Sequence, residues 1–548
     1  MTYSIADISF KKILNSIDWK LLLFLMFFLN VKLAIKIPAI IIIYLLRFNF
    51  RFGFSFKSSR LPLFYLLIIV IAFFTLVINK NYSAANYLPV FLTGIVFWGL
   101  CLLAIHQVKL SVENNTVEVI HNTILVFFAA NAILSFFNIA HIMGETGAFN
   151  PYTYQGENQK YFIGTGDYIR GITFDTSTTN AVLNAFGVIY FLDKKKPVMV
   201  LVCMAVLLLT GSNFTNLVLI GVLLLQFIFK STRDQKSLVV VCMMFLVVFM
   251  AKISPQNNKY VFDSIENVFH APKQQAPVVA AIASPVNIVS PEEIKRKIAQ
   301  SYIDSITAVL SKKITKPKNA ASPVLPNYNG RILIAGPDIN KPPYLTPTDT
   351  PAQERKLLAF IDTYKNSLPV SRQTVFKPGL PGKVTSLLQT VKFLQTQPAK
   401  MIDGDGIGNF SSKLAFKATG LGFAGGYPAK FTYISKDFLS NHLDTYLNFF
   451  SRSSGLHSLT NSPFSVYDQL LAEYGLLGLS ALFTFYLWFF LRHYKKLTYG
   501  IPILLLVMAV FFIDYWFEQL SVIVFFELLL LLDIKETTFT IPANYGLE

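Results

Sequence analysis

Two imidazoles and a carboxylate stand out in the last third of the chain, in NHLDTY and LHSLTNSPFSVYDQLLAEYGLLGL. His442 and His457 titrate near neutrality, and either can take a proton from a hydroxyl; for each, the plainer alternative is a structural hydrogen bond. Glu473 enters an apolar run about one turn deep, where a carboxylate is costly and is retained for function or for pairing helices. Upstream lies MIDGDGIGNF, Met401 to Phe410. Its Gly404, Gly406 and Gly408 permit unusual dihedrals and bring backbone amides close to an anion. No strand in a βαβ unit precedes it, which excludes a dinucleotide fingerprint. Asp403, Asp405 and Asn409 alternate as oxygen ligands, yet Ile407 and Leu414 occupy positions a calcium loop gives to ligands; a tight structural turn is the competing reading. A third stretch, TGDYIRGITFDTSTTNAVLNAF (165–186), sets Arg170 just outside an apolar helix. There a guanidinium can grip a diphosphate in bidentate fashion. It can equally snorkel to lipid headgroups or pair with Asp175. Near the end, Asp514, Glu518 and Glu527 lie on apolar segments; Glu527 fits a proton path or, more plainly, a pairing with a neighbouring helix.

What must position these groups is a set of apolar segments. The chain is 53% hydrophobic and only 14% charged, a balance that argues against a soluble protein. Windows of roughly 20 residues place spans near 18–32, 36–47, 61–79, 86–106, 121–143, 177–192, 197–211, 213–229, 237–252, 470–491, 498–516 and 518–533. The expected fold is therefore an all-α polytopic membrane protein with about twelve transmembrane helices. No small-residue cleavage site follows the first run, which reads as a retained signal anchor. Cys101, Cys203 and Cys242 all fall inside apolar segments, so neither a disulfide framework nor a thiolate metal site is indicated.

The formal charge of +17 does not mark a nucleic-acid partner, because many of the basic residues sit in short loops. Arg47, Arg51, Lys57 and Arg60, then Lys194 to Lys196, then Lys230, Arg233 and Lys236, then Arg492, Lys495 and Lys496 fall on alternate loops. Lys80 stands alone between the third and fourth spans. The positive-inside rule then places both termini in the cytoplasm and the hydrophilic segment 253–469 on the outer side. Three regions result: 1–252, an N-terminal bundle of about nine helices; 253–469, an outer-loop domain; and 470–548, about three helices and a cytoplasmic tail. Within the loop, 291–314 is expected to be an amphipathic helix and 317–351 an extended Pro- and Asn-rich loop. A second helix is expected over 383–397, with Val384, Leu387, Leu388, Val391 and Leu394 in one stripe and Lys383 and Lys392 on other faces. A third is expected over 435–450.

With these residues in hand, the chain resembles the bacterial O-antigen ligase and polymerase superfamily, multispanning glycosyltransferases with about twelve spans and one large outer loop between the ninth and tenth. GDGIGNF is similar to that family's glycine-rich turn before an aromatic. DQLLAEYGLLGL is similar to its loop-to-helix signature ending in Glu-x-Gly-x-x-Gly. IRGITFD followed by Asn180 looks like its Arg-Gly-x-x-Phe segment, and LLLTGSN, Leu207 to Asn213, like its Thr-Gly-Ser turn. The chain departs from the pattern at Asn213, where many relatives carry Arg. It departs again at Pro463 to Ser465, where ligases carry a His that here lies upstream as His457, and at Lys383 and Lys392, where relatives use Arg.

The resemblance implies transfer of a glycan from a polyprenyl-diphosphate (undecaprenyl-type) carrier to a sugar hydroxyl at the periplasmic face of the bacterial inner membrane. The acceptor would be a carrier-linked glycan in a polymerase of surface polysaccharide, or the lipid A core in a ligase of lipopolysaccharide biosynthesis. No metal or other cofactor is implied, and membrane lipids would surround the protein. Arg170, Lys383, Lys392 and Asn409 are the candidate substrate-binding residues; His457, His442 and Glu473 are the candidate catalytic ones. The rival reading is a lipid-linked oligosaccharide flippase or polysaccharide exporter without covalent chemistry, although the chain lacks the paired halves common in transporters. An inactive assembly partner is a third.

Overall fold

An apolar run that must satisfy every backbone N–H and C=O without water does so most simply as a helix. The computed structural model describes residues 16–29, 33–47, 63–153, 165–174, 176–229, 231–253, 382–420, 427–443, 445–446 and 462–540. Among them there is no strand, and all twelve apolar segments are helical. The first nine are α1 (Trp19–Phe28), α2 (Leu33–Arg47), α3 (Leu63–Ile78), α4 (Tyr87–Asn114), α5 (Val117–Thr146), α6 (Ser177–Asp193), α7 (Pro197–Leu209), α8 (Asn213–Phe229) and α9 (Arg233–Val248). Four shorter helices follow in the polar region: α10 (Gly382–Thr396), α11 (Pro398–Asp403), α12 (Lys413–Ala418) and α13 (Lys436–Asn441). The last three are α14 (Val466–Ala481), α15 (Gly500–Val510) and α16 (Ser521–Thr540). Four helical stretches are long and apolar enough to cross a membrane: α4, α5, α9 with its π-helical end to Ile253, and α14 continued through a π-helical turn to Leu491.

The chain divides into two compact units. One comprises Met1–Phe74, Leu92–Asp263 and Leu477–Glu548. Its centre is α6, in which every side chain from Ser177 to Leu192 is buried, in contact with α7, α8, α15 and α16. Close approach depends on Gly187, where a Cβ would stand 2.7 Å from Cys203 Sγ and 2.8 Å from Phe128 Cε1. Three buried polar contacts tie helices together inside this unit. Tyr65 Oη donates to Glu527 Oε1 at 2.9 Å, so Glu527 ties α16 to α3. Lys36 Nζ reaches back to the Phe28 carbonyl at 2.6 Å and thereby caps the end of α1. Asp533 accepts from the amides of Thr498 and Gly500, at 2.7 and 2.8 Å, at the start of α15.

The second unit comprises Thr75–Phe91 and Ser264–Leu476. Its cuts differ from the boundaries 253 and 469 expected from polarity, because the polar side chains around residue 80 belong with the later segment. The helix expected over 383–397 is α10. Of the expected stripe, Val384, Leu387, Leu388 and Val391 are exposed, whereas Leu394 is buried with Thr385, Ser386, Gln389, Thr390 and Phe393. The helix expected over 435–450 is α13 as far as Asn441. The expectations for 291–314 and 317–351, and the candidates His457 and Asp175, lie outside the described residues.

Candidate functional site

The glycine-rich turn and α14, some sixty residues apart in sequence, are locked together. Helix α14 is interrupted at Gly475 (φ 61°, ψ −160°), a backbone state that an L side chain resists. The interruption leaves the carbonyls of Ala472 and Glu473 without helical partners, and they accept from Asp405 N and Gly406 N, each at 3.0 Å. The Glu473 carboxylate completes the clasp, with Oε2 accepting from Gly408 N at 2.9 Å and Oε1 from Phe410 N at 3.4 Å. On the turn's other side, four side chains donate to its carbonyls. Thr75 Oγ1 bonds Asp403 O (3.2 Å), Asn79 Nδ2 bonds Gly404 O (3.0 Å), Asn81 Nδ2 bonds Asp405 O (2.9 Å) and Tyr87 Oη bonds Ile407 O (3.0 Å).

This geometry decides between the readings of the turn. An anion nest needs free amides, and the amides of Asp405, Gly406, Gly408 and Phe410 are already given to α14. A calcium loop needs converging oxygens. Instead Asn409 accepts from Tyr433 Oη at 2.8 Å and donates to Asp405 O at 2.6 Å, and Asp405 faces Lys400. Among the described residues, no group of three or more His, Cys, Asp or Glu side chains is placed to hold a metal. Asn409 and Glu473 are parts of the lock.

Beside the lock lies a charged cluster that no spacing in the sequence singled out. Lys400 Nζ bridges Asp405 Oδ1 (2.5 Å) and Asp437 Oδ2 (2.6 Å), and Gln397 also donates to Asp437, at 3.0 Å. Burial pushes the Asp405 carboxyl up to about 7, against the pull of Lys400 and with the push of Asp437. Burial alone would lower Lys400, but the two carboxylates more than reverse that and raise it. Asp405 is thus a buried acid poised near neutrality with a half-buried ion pair beside it. The only trace in the sequence is a lysine five residues before a carboxylate, with the helix turn between them.

His442 is a core residue, 0% exposed. It stacks on Phe410 at 5.0 Å and Phe416 at 5.8 Å and meets the edge of Phe438. Its Nδ1 lies 3.0 Å from Gln389 Oε1, an oxygen that also accepts from Thr445 Oγ1 at 2.5 Å, so Nδ1 is the donor and Nε2 carries the lone pair. Burial holds its pKa down to about 3. A neutral ring results, with neither nitrogen open to solvent. Lys383 is engaged as well: its Nζ donates to Phe464 O at 2.6 Å and Ser462 Oγ at 3.2 Å, tying α10 to the segment before α14. Between these elements Asp468 accepts from Ser386 and, at 2.8 Å, from Ser411. Lys392 is exposed.

Arg170 belongs to the other unit and stands on a rigid platform. Asn138 Oδ1, on α5, accepts from the amides of both Arg170 and Gly171 at 3.1 Å. Two turns earlier on the same face of α5, Asn131 Oδ1 accepts from Ile172 N at 3.0 Å, while its amide donates to Asn180 Oδ1 at 2.9 Å. Asn180, on α6, donates in turn to Ser135 Oγ (3.1 Å) and Ile169 O (2.9 Å), and Asn184 Nδ2 donates to Asn180 Oδ1 at 2.9 Å. Every amide of this ladder is buried except Asn138, which is partly so. The Arg170 side chain itself is exposed. Nε donates to Asp167 O at 3.4 Å and the guanidinium lies 5.6 Å from the Tyr168 ring, which leaves both terminal nitrogens without an acceptor among the described residues. Asn131 and Asn138 were not legible as supports of Arg170, though an asparagine inside an apolar helix is itself a signal of polar pairing. No protein-family model matches the chain, nor does any curated protein or solved structure.

Proposed function

We propose that this chain is a membrane glycosyltransferase of the O-antigen ligase and polymerase kind. It would cross the bacterial inner membrane about twelve times, with both termini cytoplasmic and the region 253–469 at the periplasmic face. The donor is a glycan on a polyprenyl diphosphate, and the acceptor a hydroxyl of another glycan or of the lipid A core. In the reaction the bond from the sugar's anomeric carbon to the diphosphate oxygen breaks and a bond to the acceptor oxygen forms. The hydroxyl proton passes to a base, and the departing diphosphate carries the negative charge.

The observation that supports this reading is Arg170: an exposed guanidinium on a backbone immobilised by four asparagines, with two terminal nitrogens open to an oxyanion. A cation held still where charge develops stabilises the transition state more than a mobile one. Three of the four motifs behind the resemblance support it too, since they make specific contacts: the glycine turn with α14, and Ile169 to Ile172 with Asn180 and Asn131. Between the two histidines, burial of His442 favours His457 as the base, with His442 supporting the fold. Within the second unit Lys383 is held by Phe464 and Ser462, whereas Lys392 is exposed.

The test is the purified chain in vesicles with carrier-linked glycan. Product of increased mass marks a transferase, and Arg170→Ala lowers its rate by roughly 100-fold, the usual cost of losing one oxyanion donor. Undiminished product in that variant removes Arg170 from the mechanism. Movement of the glycan across the vesicle with no new bond marks a flippase and ends the proposal.

A further inference from the structure

Helix α10 is built with its polarity reversed relative to a helix on a water-soluble domain. Its inward face begins with hydroxyls and an amide, Thr385, Ser386, Gln389 and Thr390, each 0% exposed, and only its last turn buries Phe393 and Leu394. Outward it shows Val384 at 42% and Leu387, Leu388 and Val391 at 37% each. At 100° per residue those four side chains fall within about a 100° sector, a continuous stripe along the helix. The inward polar groups are used, as in Gln389 to His442 and Ser386 to Asp468, so the helix cannot roll over to hide its stripe. In water such an arrangement exposes apolar surface for no return; against hydrocarbon it is the favourable one.

We propose that the Val384–Val391 stripe of α10 is an in-plane lipid contact, seated among the acyl chains and headgroups of the bilayer. Three observations favour lipid as the occupant. The same compact unit contains Thr75–Phe91, where one apolar helix ends and the next begins, and Leu476, inside a stretch apolar enough to cross a membrane. Exposed apolar side chains continue through the unit on Val77, Ile78, Leu88, Ile402 and Leu476. Finally, Lys392 borders the stripe and is exposed, where its stem can lie along the apolar surface and its ammonium reach a phosphate. A helix of this kind lies about 5–10 Å into the headgroup boundary. The inference stands apart from glycosyl transfer, since it concerns what the helix rests on and not what the protein does.

Nitroxide labels on single cysteines at Val384, Leu388, Val391, Lys392 and Ala399, in full-length protein in phosphatidylethanolamine–phosphatidylglycerol nanodiscs, test it. The expected result is high collision with oxygen and low collision with a water-soluble nickel chelate at Val384, Leu388 and Val391, with the reverse at Ala399, and Lys392 intermediate. Free access of the chelate to the three stripe positions would show an aqueous face and overturn the proposal. Exclusion of both reagents would overturn it as well, by showing that protein, either residues 254–381 or a second copy, covers the stripe. Because the three labels sit at exposed positions, agreement among them guards against one misfolded variant deciding the outcome.

Discussion

Gly404 is the position at which a single methyl group should do the most damage. A Cβ there would press on backbone, the carbonyl carbon of Glu473 and Tyr474 N, with Glu473 O at 2.5 Å, while φ is +82°. The left-handed backbone alone costs an L residue about 1–2 kcal/mol. Since backbone cannot swing aside, the turn must leave α14 and lose the bonds from Asp405 N and Gly406 N; two buried donors left unpaired add about 1–3 kcal/mol each. Gly404→Ala should therefore cost about 4 kcal/mol or more, a large part of a typical stability of about 5–15 kcal/mol. Two comparisons sharpen the expectation. At Gly408 the nearest obstacle is the Val90 side chain at 2.5 Å, with φ +70°, and such a side chain can shift, so Gly408→Ala should cost about 1–3 kcal/mol. At Gly221, within α8, a Cβ meets nothing within 4 Å, and Ala there should be neutral or stabilising by up to about 1 kcal/mol. Thermal unfolding of detergent-purified variants, followed by the loss of monodisperse protein, ranks the three. Gly404→Ala as stable as the wild type, or no more damaging than Gly408→Ala, would refute the account of the lock.

Glu473→Gln keeps the shape of the side chain but sets an amide donor against Gly408 N or Phe410 N. It should destabilise by about 2–4 kcal/mol, from one charge-assisted bond lost and one buried donor stranded; unchanged unfolding in the same assay would instead assign the carboxylate a role outside the fold. Asp405 gives a pH signature. Its folded-state carboxyl sits up to about 7 against about 3.9 in an unfolded chain, so between those values the unfolded state has released a proton that the folded state still holds. Stability is then greatest at the acid end of that window, falls as pH rises through it, and levels off above 7. Asp405→Asn should flatten the fall, and identical pH profiles for the two proteins would count against the assignment.

Hydropathy made the helices legible and left their details hidden. Each of the twelve apolar windows is helical because lipid-compatible side chains and helical backbone bonds favour the same residues. Their ends were less so: α4 runs on to Asn114 and α16 to Thr540, since polar side chains stop a hydropathy window without stopping the hydrogen-bond ladder. The short α11 and α12 carry too few turns for a period to show. Period alone told that Val384, Leu387, Leu388 and Val391 share a face, but not that the face is outward, because the same pattern serves a core in water and a lipid boundary. The site was legible in residue type and blurred in role. Glycines announced a strained turn, yet whether its amides await a ligand or are spent on α14 depends on Gly475, some seventy residues away. Arg170 could be found beside α6, whereas two of the asparagines that steady it, Asn131 and Asn138, come from α5.

The clasp around the glycine turn also constrains how the protein is made. Asn79 and its partner Gly404 are 325 residues apart, and at about 5–20 residues per second the ribosome needs on the order of 16–65 s to bridge that interval. Throughout it, Asn79, Asn81 and Tyr87 wait for the carbonyls of Gly404, Asp405 and Ile407 to be made. A chain shortened before residue 404 would never supply those acceptors, and its early helices would keep the donors without their native contacts.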